Sequence, residues 1–442
     1  AQIIQHAADM NLNTVLLPLS WEDFEPTESI FRYNLLEAML KCAGKHELRL
    51  VVLWFGAFKN AVSSYAPAWV KLNQERFPRV VDQQQNPTHT LSPFSTQTRH
   101  ADARAFSAMM RHLRTHDVNN TVIIVQVENE AGILNATRDH SQKANTEFVG
   151  QVPNQLIKTV QALSASQPDH EFSTNWRDSG QHVSGDWTKV VGKSADEAFM
   201  AWHLGQYVEY GASQGRSEHS IPLYVNAWIQ AGPGYLPGES PSGGPIAKVI
   251  NIWRTGAPSI DLIAPDIYEQ DFKAICRDYH DKLNPPCIPE AKCDEYAASR
   301  FLYAIGHHNA IGFSPFGFED MAGLSNSLPE VYETVAHLMP VISQAQREGR
   351  IGALLHLSES DSDSVSISSI RFTGQTRNAI PMASALIIGL GENEFYVLAR
   401  GMTLTFTGHS ENREQLAILD LFSGTVDNGK FSATRRLNGD ES

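Results

Sequence analysis

The segment Thr121-Val122-Ile123-Ile124-Val125-Gln126-Val127-Glu128-Asn129-Glu130 decides the fold. Its first seven residues are nearly all β-branched, the texture of a buried strand. The run then stops abruptly at two carboxylates flanking an amide. A strand that is apolar throughout belongs to a parallel sheet covered by helices. The question is whether such runs recur in alternation with helical sequence.

They do. Thr14–Leu19, Leu48–Phe55, Leu223–Trp228, Asp261–Ile267, Cys287–Pro289 and Ala310–Phe313 share the strand texture. Helical periodicity fills Ala1–Met10, Tyr33–His46, Ala101–His116, Pro153–Ser164, Ala195–Ser213, Ile246–Arg254, Phe272–His280, Ala297–His307 and Pro329–Glu348. Seven strands, each followed by helical sequence, predict a (β/α)8 TIM barrel whose first strand would precede the Ala1 helix and is missing here. A doubly wound sheet would show a Gly-rich phosphate turn, and no GxGxxG occurs. Beyond Gly349 the texture changes. Ser358–Ser369 is rich in Ser and Asp, and short alternating stretches follow at Phe395–Ala399, Leu404–Phe406 and Leu416–Leu419. The reading is a catalytic barrel over 1–349 and an antiparallel, sandwich-like β domain over 350–442.

Composition excludes several partners. Lys and Arg total 35 against 49 Asp and Glu, a formal charge of −14. Such a chain lacks the basic footprint of a nucleic-acid binder and is repelled by anionic membrane surfaces. No apolar run approaches the roughly 20 residues that span a bilayer. Cys42, Cys276, Cys287 and Cys293 form no CxxC pair, so free thiols or one bridge are expected rather than zinc, even with His280 near. Two glycosylation sequons, at Asn119 and Asn135, are what chance supplies at this length and assign no compartment.

In a barrel the chemistry lies at the carboxyl ends of the strands. With period-two alternation Glu128 and Glu130 are expected to face the same way, Glu130 being the stronger catalytic candidate. Glu290 follows another apolar strand, three strands later, and supplies the opposing carboxylate. Two facing carboxyl groups are what glycoside hydrolysis needs. Trp21, Trp54, Phe55, Trp228, Tyr268 and Phe316 gather at strand ends, where rings pack on the C–H faces of a sugar. Asn129 and Asn226 are candidates for its hydroxyls. His203, His307 and His308 read as structural.

Gln126-Val127-Glu128-Asn129-Glu130 resembles the acid/base signature of glycoside hydrolase family 35, the β-galactosidases. That family belongs to a barrel clan (clan A) whose acid/base Glu follows an Asn at the end of strand four and whose nucleophile Glu ends strand seven. Leu53-Trp54-Phe55-Gly56-Ala57-Phe58-Lys59-Asn60, Ser92-Pro93-Phe94-Ser95, Ile288-Pro289-Glu290-Ala291, Gly312-Phe313-Ser314-Pro315-Phe316-Gly317 and Arg435-Arg436-Leu437-Asn438-Gly439-Asp440-Glu441 are similar to the subgroup carrying its own C-terminal β domain. Counting a first strand upstream, Thr121–Val127 is the fourth and Cys287–Pro289 the seventh. The resemblance implies that Glu130 is the acid/base and Glu290 the nucleophile, that Asn129 holds a substrate hydroxyl, and that Tyr268 orients Glu290. It implies release of terminal β-galactosyl residues with retention, through a covalent glycosyl-enzyme and carboxyl groups roughly 5–5.5 Å apart. No metal or organic cofactor is required. The β domain is expected to serve as a support or as a contact within a homo-oligomer. Two rival readings are a clan relative acting on another β-glycoside and a non-catalytic sugar-binding barrel.

Overall fold

The computed structural model describes residues 2–229, 236–269, 271–321, 328–377, 382–408 and 416–437. The chain folds as a (β/α)8-type barrel followed by small antiparallel sheets. It divides into two compact units, Ala1–Ile4 with Asn13–Glu269 and Gln5–Leu12 with Gln270–Ser442. No helix among the described residues is long and apolar enough to cross a membrane.

The first unit holds β1 (Thr14–Ser20), β2 (Arg49–Lys59), a hairpin of β3 (Arg79–Val81) and β4 (Pro87–Leu91), β5 (Val122–Asn129), β6 (Leu223–Trp228) and β7 (Leu262–Ile267). β1, β2, β5, β6 and β7 lie side by side and parallel, in chain order. Parallel neighbours need a crossover, and the sequence supplies one as a helix each time. Thr96–His116 returns the chain from β2 to β5 and Ala195–Glu218 from β5 to β6. The first of these begins at Ser95, whose hydroxyl accepts the Thr98 amide at 3.1 Å and caps the helix. Its inner stripe of Phe106, Met109 and Leu113 is fully buried, and Asp102 lies on the same stripe.

The second unit holds the parallel pair β8 (Cys287–Ala291) and β9 (Gly312–Pro315), then eight antiparallel strands. These are β10 (Ile351–His356), β11 (Ser364–Ile367), β12 (Ile370–Thr376), β13 (Ala383–Gly389), β14 (Phe395–Arg400), β15 (Met402–Gly408), β16 (Phe422–Asp427) and β17 (Lys430–Arg436). Sheets β10-β13-β14 and β11-β12-β15 share cores built from Leu354, Ala385 and Met402 and from Ile367, Phe372 and Ile387. These are small antiparallel sheets, in keeping with the alternating texture of the sequence.

The helix Ala297–His307 packs closely on the small sheet of its own unit. A Cβ on Gly306 would lie 2.3 Å from Leu386 and 2.7 Å from Ala353. Leu416–Leu419 is not a strand; the last hairpin is β16–β17, further on. β2 continues past Phe55 to Lys59. Asn438–Glu441 of the last quoted motif lie outside the described residues.

Candidate active site

The site grows from an irregularity where β2 meets β5. Trp54 pairs with Val127 and Lys59 with Asn129, so β2 inserts three extra residues there. This bulge leaves Phe55–Phe58 unpaired with β5. At the same level β5 turns left-handed at two side-chain-bearing residues, Glu128 (φ 62°) and Glu130 (φ 47°). Each costs about 1–3 kcal/mol, and such strain persists where the surroundings enforce it.

The turns abolish the alternation expected of Glu128 and Glu130, which do not face the same way. Glu130 turns toward the ends of β6 and β7. Its backbone amide donates to Asn226 Oδ1 at 2.9 Å, and its carboxylate approaches that of Asp266 within 4.8 Å. Glu128 turns to the helices, where its carboxyl and that of Asp102 both lie against Gly56, and it accepts the Phe58 amide at 2.7 Å. The structure places this substrate-binding candidate in the interior, on the helix side of β5.

Asn226 also changes role. Its Oδ1 is taken by Glu130, and its Nδ2 donates to Asp266 Oδ2 at 2.7 Å. It is a strut joining acid to acid rather than a free hydroxyl partner. Asn129 is the opposite case. It is fully buried, and neither atom of its amide has a hydrogen-bond partner among the described residues. An unmet buried polar group costs about 1–3 kcal/mol, so its retention needs a reason outside the fold. Trp228 and Tyr268, 38% and 41% exposed, stand at the ends of β6 and β7. Both keep a ring in reach of solvent.

Trp21, Trp54 and Phe55 belong elsewhere. Trp21 is fully buried, donates to Glu25 Oε2 at 2.8 Å and meets Trp69 edge-on at 5.8 Å. Trp54 is fully buried and donates to Asp102 Oδ1 at 2.9 Å. Phe55 packs on Tyr65, with the Lys59 ammonium 5.1 Å from its centroid. Neither indole offers a face to a sugar. In the second unit, Glu290 is half-buried on β8 and Phe316 is exposed just after β9, its amide bonded to Ala291 O at 2.9 Å. His203 and His308 are held neutral, burial bringing each down to about 3.

Two residues escaped the sequence reading. Asp266 sits inside a strand buried at every position, the same signal that singled out Glu130. Asp102 interrupts the apolar stripe of its helix, a signal present but weak for one residue. Together, Glu130 and Asp266 offer carboxyl groups for proton transfer, Asn226 ties them, and Asn129 offers an amide to a hydroxyl.

Residues 328–442 match the family described as a domain of unknown function, DUF5597. No curated protein sequence matches the chain. Its fold is similar to the β-galactosidase of the psychrophilic Marinomonas ef1 (TM-score 0.51, 14% identity, covering 78% of this chain and 58% of that one). It is similar also to a catalytic mutant of Gan42B, a family 42 β-galactosidase of G. stearothermophilus (TM-score 0.51, 14% identity, 77% and 55%). A third is the catalytic domain of the β-amylase of Paenibacillus polymyxa (TM-score 0.50, 8% identity, 72% and 88%). This chain spans less than two thirds of either galactosidase. At these identities the likeness is one of fold, and the chain has the barrel fold of these glycoside hydrolases.

Proposed function

We propose that this chain is a retaining glycoside hydrolase that releases terminal β-D-galactosyl residues. The observation that carries the reading is the buried amide of Asn129, without a partner among the described residues, beside Glu130, whose strained backbone is clamped by Asn226. A site that keeps an unmet amide next to a fixed carboxyl group is organised for a ligand rich in hydroxyls. The nearness of Asp266 favours a proton on one of the two carboxyls, the state a general acid requires.

Glu130 gives its proton to the glycosidic oxygen as Glu290 attacks the anomeric carbon and the aglycone leaves as an alcohol. Glu130, now a carboxylate, takes a proton from water; the hydroxide oxygen displaces Glu290 and β-galactose is released. Asn129 holds a sugar hydroxyl, Tyr268 orients Glu290, and Trp228 and Phe316 pack on the sugar or aglycone. The roles of Glu290, Tyr268 and Phe316 rest on sequence resemblance and on their places at strand ends. The galactosidases among the fold neighbours are in keeping with the sugar.

A panel of nitrophenyl glycosides tests the reading. The β-galactoside should be cleaved with the highest kcat/KM, and a 2-deoxy-2-fluoro-galactosyl fluoride should leave one covalent adduct, on Glu290, by peptide mass spectrometry. Preference for another β-glycoside would replace the sugar and keep the chemistry. An adduct elsewhere would remove Glu290, and no turnover of any glycoside would leave the binding-barrel reading.

A further inference from the structure

Behind the site lies a second pair of acids that the proposed chemistry does not use. Asp102 and Glu128 are both buried. Asp102 accepts from Trp54 Nε1 at 2.9 Å, from the Ala57 amide at 3.2 Å and from the Tyr207 hydroxyl at 2.9 Å. Glu128 accepts the Phe58 amide at 2.7 Å. The two carboxyl groups converge on one glycine: a Cβ on Gly56 would lie 2.6 Å from Asp102 Oδ1 and 2.7 Å from Glu128 Oε1. The amides of Ala57 and Phe58 belong to the β2 bulge, so the pair supplies acceptors that the broken ladder does not.

The charge balance around the pair follows from what faces it. The Thr96–His116 helix contributes Asp102 and Arg99, the Ala195–Glu218 helix Tyr207, β2 the neutral Trp54, and β5 Glu128. Arg99 spreads its guanidinium over the Tyr210 ring, 4.7 Å from the centroid. Two carboxylates at this depth, served by neutral donors, do not both ionise. Trp54, Ala57 and Tyr207 donate to Asp102, while Phe58 donates to Glu128, so the shared proton is placed on Glu128. Burial first, then the Asp102 charge, holds the Glu128 carboxyl well above the usual range; burial and the same charge push the Tyr207 phenol up.

We propose that Asp102 and Glu128 are a positioning pair for Glu130. Glu128 keeps its proton and donates it to the Asp102 carboxylate, and the pair pins the Gly56–Phe58 bulge and the left-handed turn from which Glu130 projects. The shared proton rests on the burial of both carboxyls and their convergence on Gly56, and the link to Glu130 on the function proposed above.

The test compares the parent with Glu128→Gln and Glu128→Ala. Glutamine keeps the shape, its NH2 donating to Asp102 and its carbonyl accepting from Phe58. The folded parent holds a proton that a free Glu, with pKa about 4.3, releases. The parent therefore loses stability as pH rises above that value, until the raised folded pKa is passed. Glutamine has no such proton, so its Tm advantage should widen between pH 5 and 8, on the order of 2 °C per pH unit. Parallel curves would overturn the shared proton. For positioning, Glu128→Ala should lower kcat about 100-fold with KM nearly unchanged, and glutamine should restore most of it. If alanine does not fold, Tyr207→Phe, which removes one donor from Asp102, should show a smaller kcat loss, about threefold to tenfold. Unchanged kcat in the foldable variant would overturn the positioning role. A parent that cleaves no glycoside would defeat the functional reading, while the pH comparison still decides the shared proton.

Discussion

Glu128 and Glu130 are two residues apart, yet they face two different environments. Behind β5, Glu128 meets Asp102, Tyr207, Trp54 and the bulge amides, and these groups partner one another. In front, Glu130 and Asp266 are tied through Asn226, while the Asn129 amide is left without a partner among the described residues. Both regions are buried and acidic. What separates them is satisfaction: a network closed on itself stabilises, and one left open is available to a ligand. Substitutions behind the strand should therefore cost stability, and activity only through the position of Glu130, whereas those in front should cost activity with little loss of stability.

The largest stability effect is expected at Asp102→Asn. The carboxamide turns a donor toward a cluster of donors and leaves at least one of them unmet, so unfolding should be easier by about 3–5 kcal/mol in denaturant titration. Gly56→Ala should cost about 1–3 kcal/mol, because the added methyl meets Trp54 Nε1 at 2.5 Å and both carboxyls. Asn129→Ala should invert the pattern. It removes an unmet amide, so Tm should hold or rise, while kcat/KM for the galactoside falls about 10–100-fold. A destabilised Asn129→Ala with full activity would erase the contrast.

The sequence made the strands legible and the partners less so. Leu223–Trp228 and Ala297–His307 are read to the residue, because each is bounded by a change in periodicity. The end of β2 is not, because the bulge at Phe55–Phe58 is held by Asp102 and Glu128, which lie 45 and 70 positions from the amides they accept. For the same reason Trp54 reads as a sugar platform and proves to be an interior donor. Trp21 too reads as a platform and is an interior donor, its acceptor Glu25 lying one helical turn away. Glu128 was misplaced because alternation presumes extended backbone, and two left-handed residues break it.

The central claim is that Glu130 supplies and recovers the proton. Glu130→Gln should cleave natural β-galactosides at least about 100-fold more slowly, since an alkoxide leaves poorly unaided. An activated aryl galactoside, needing little protonation, should still form the glycosyl-enzyme, which accumulates because the general base is also gone. Azide, which requires no base, should intercept it and give a β-galactosyl azide detectable by mass spectrometry. A Glu130→Gln enzyme that hydrolyses natural galactosides at the parent rate, or one equally dead on every substrate and unresponsive to azide, would contradict the account.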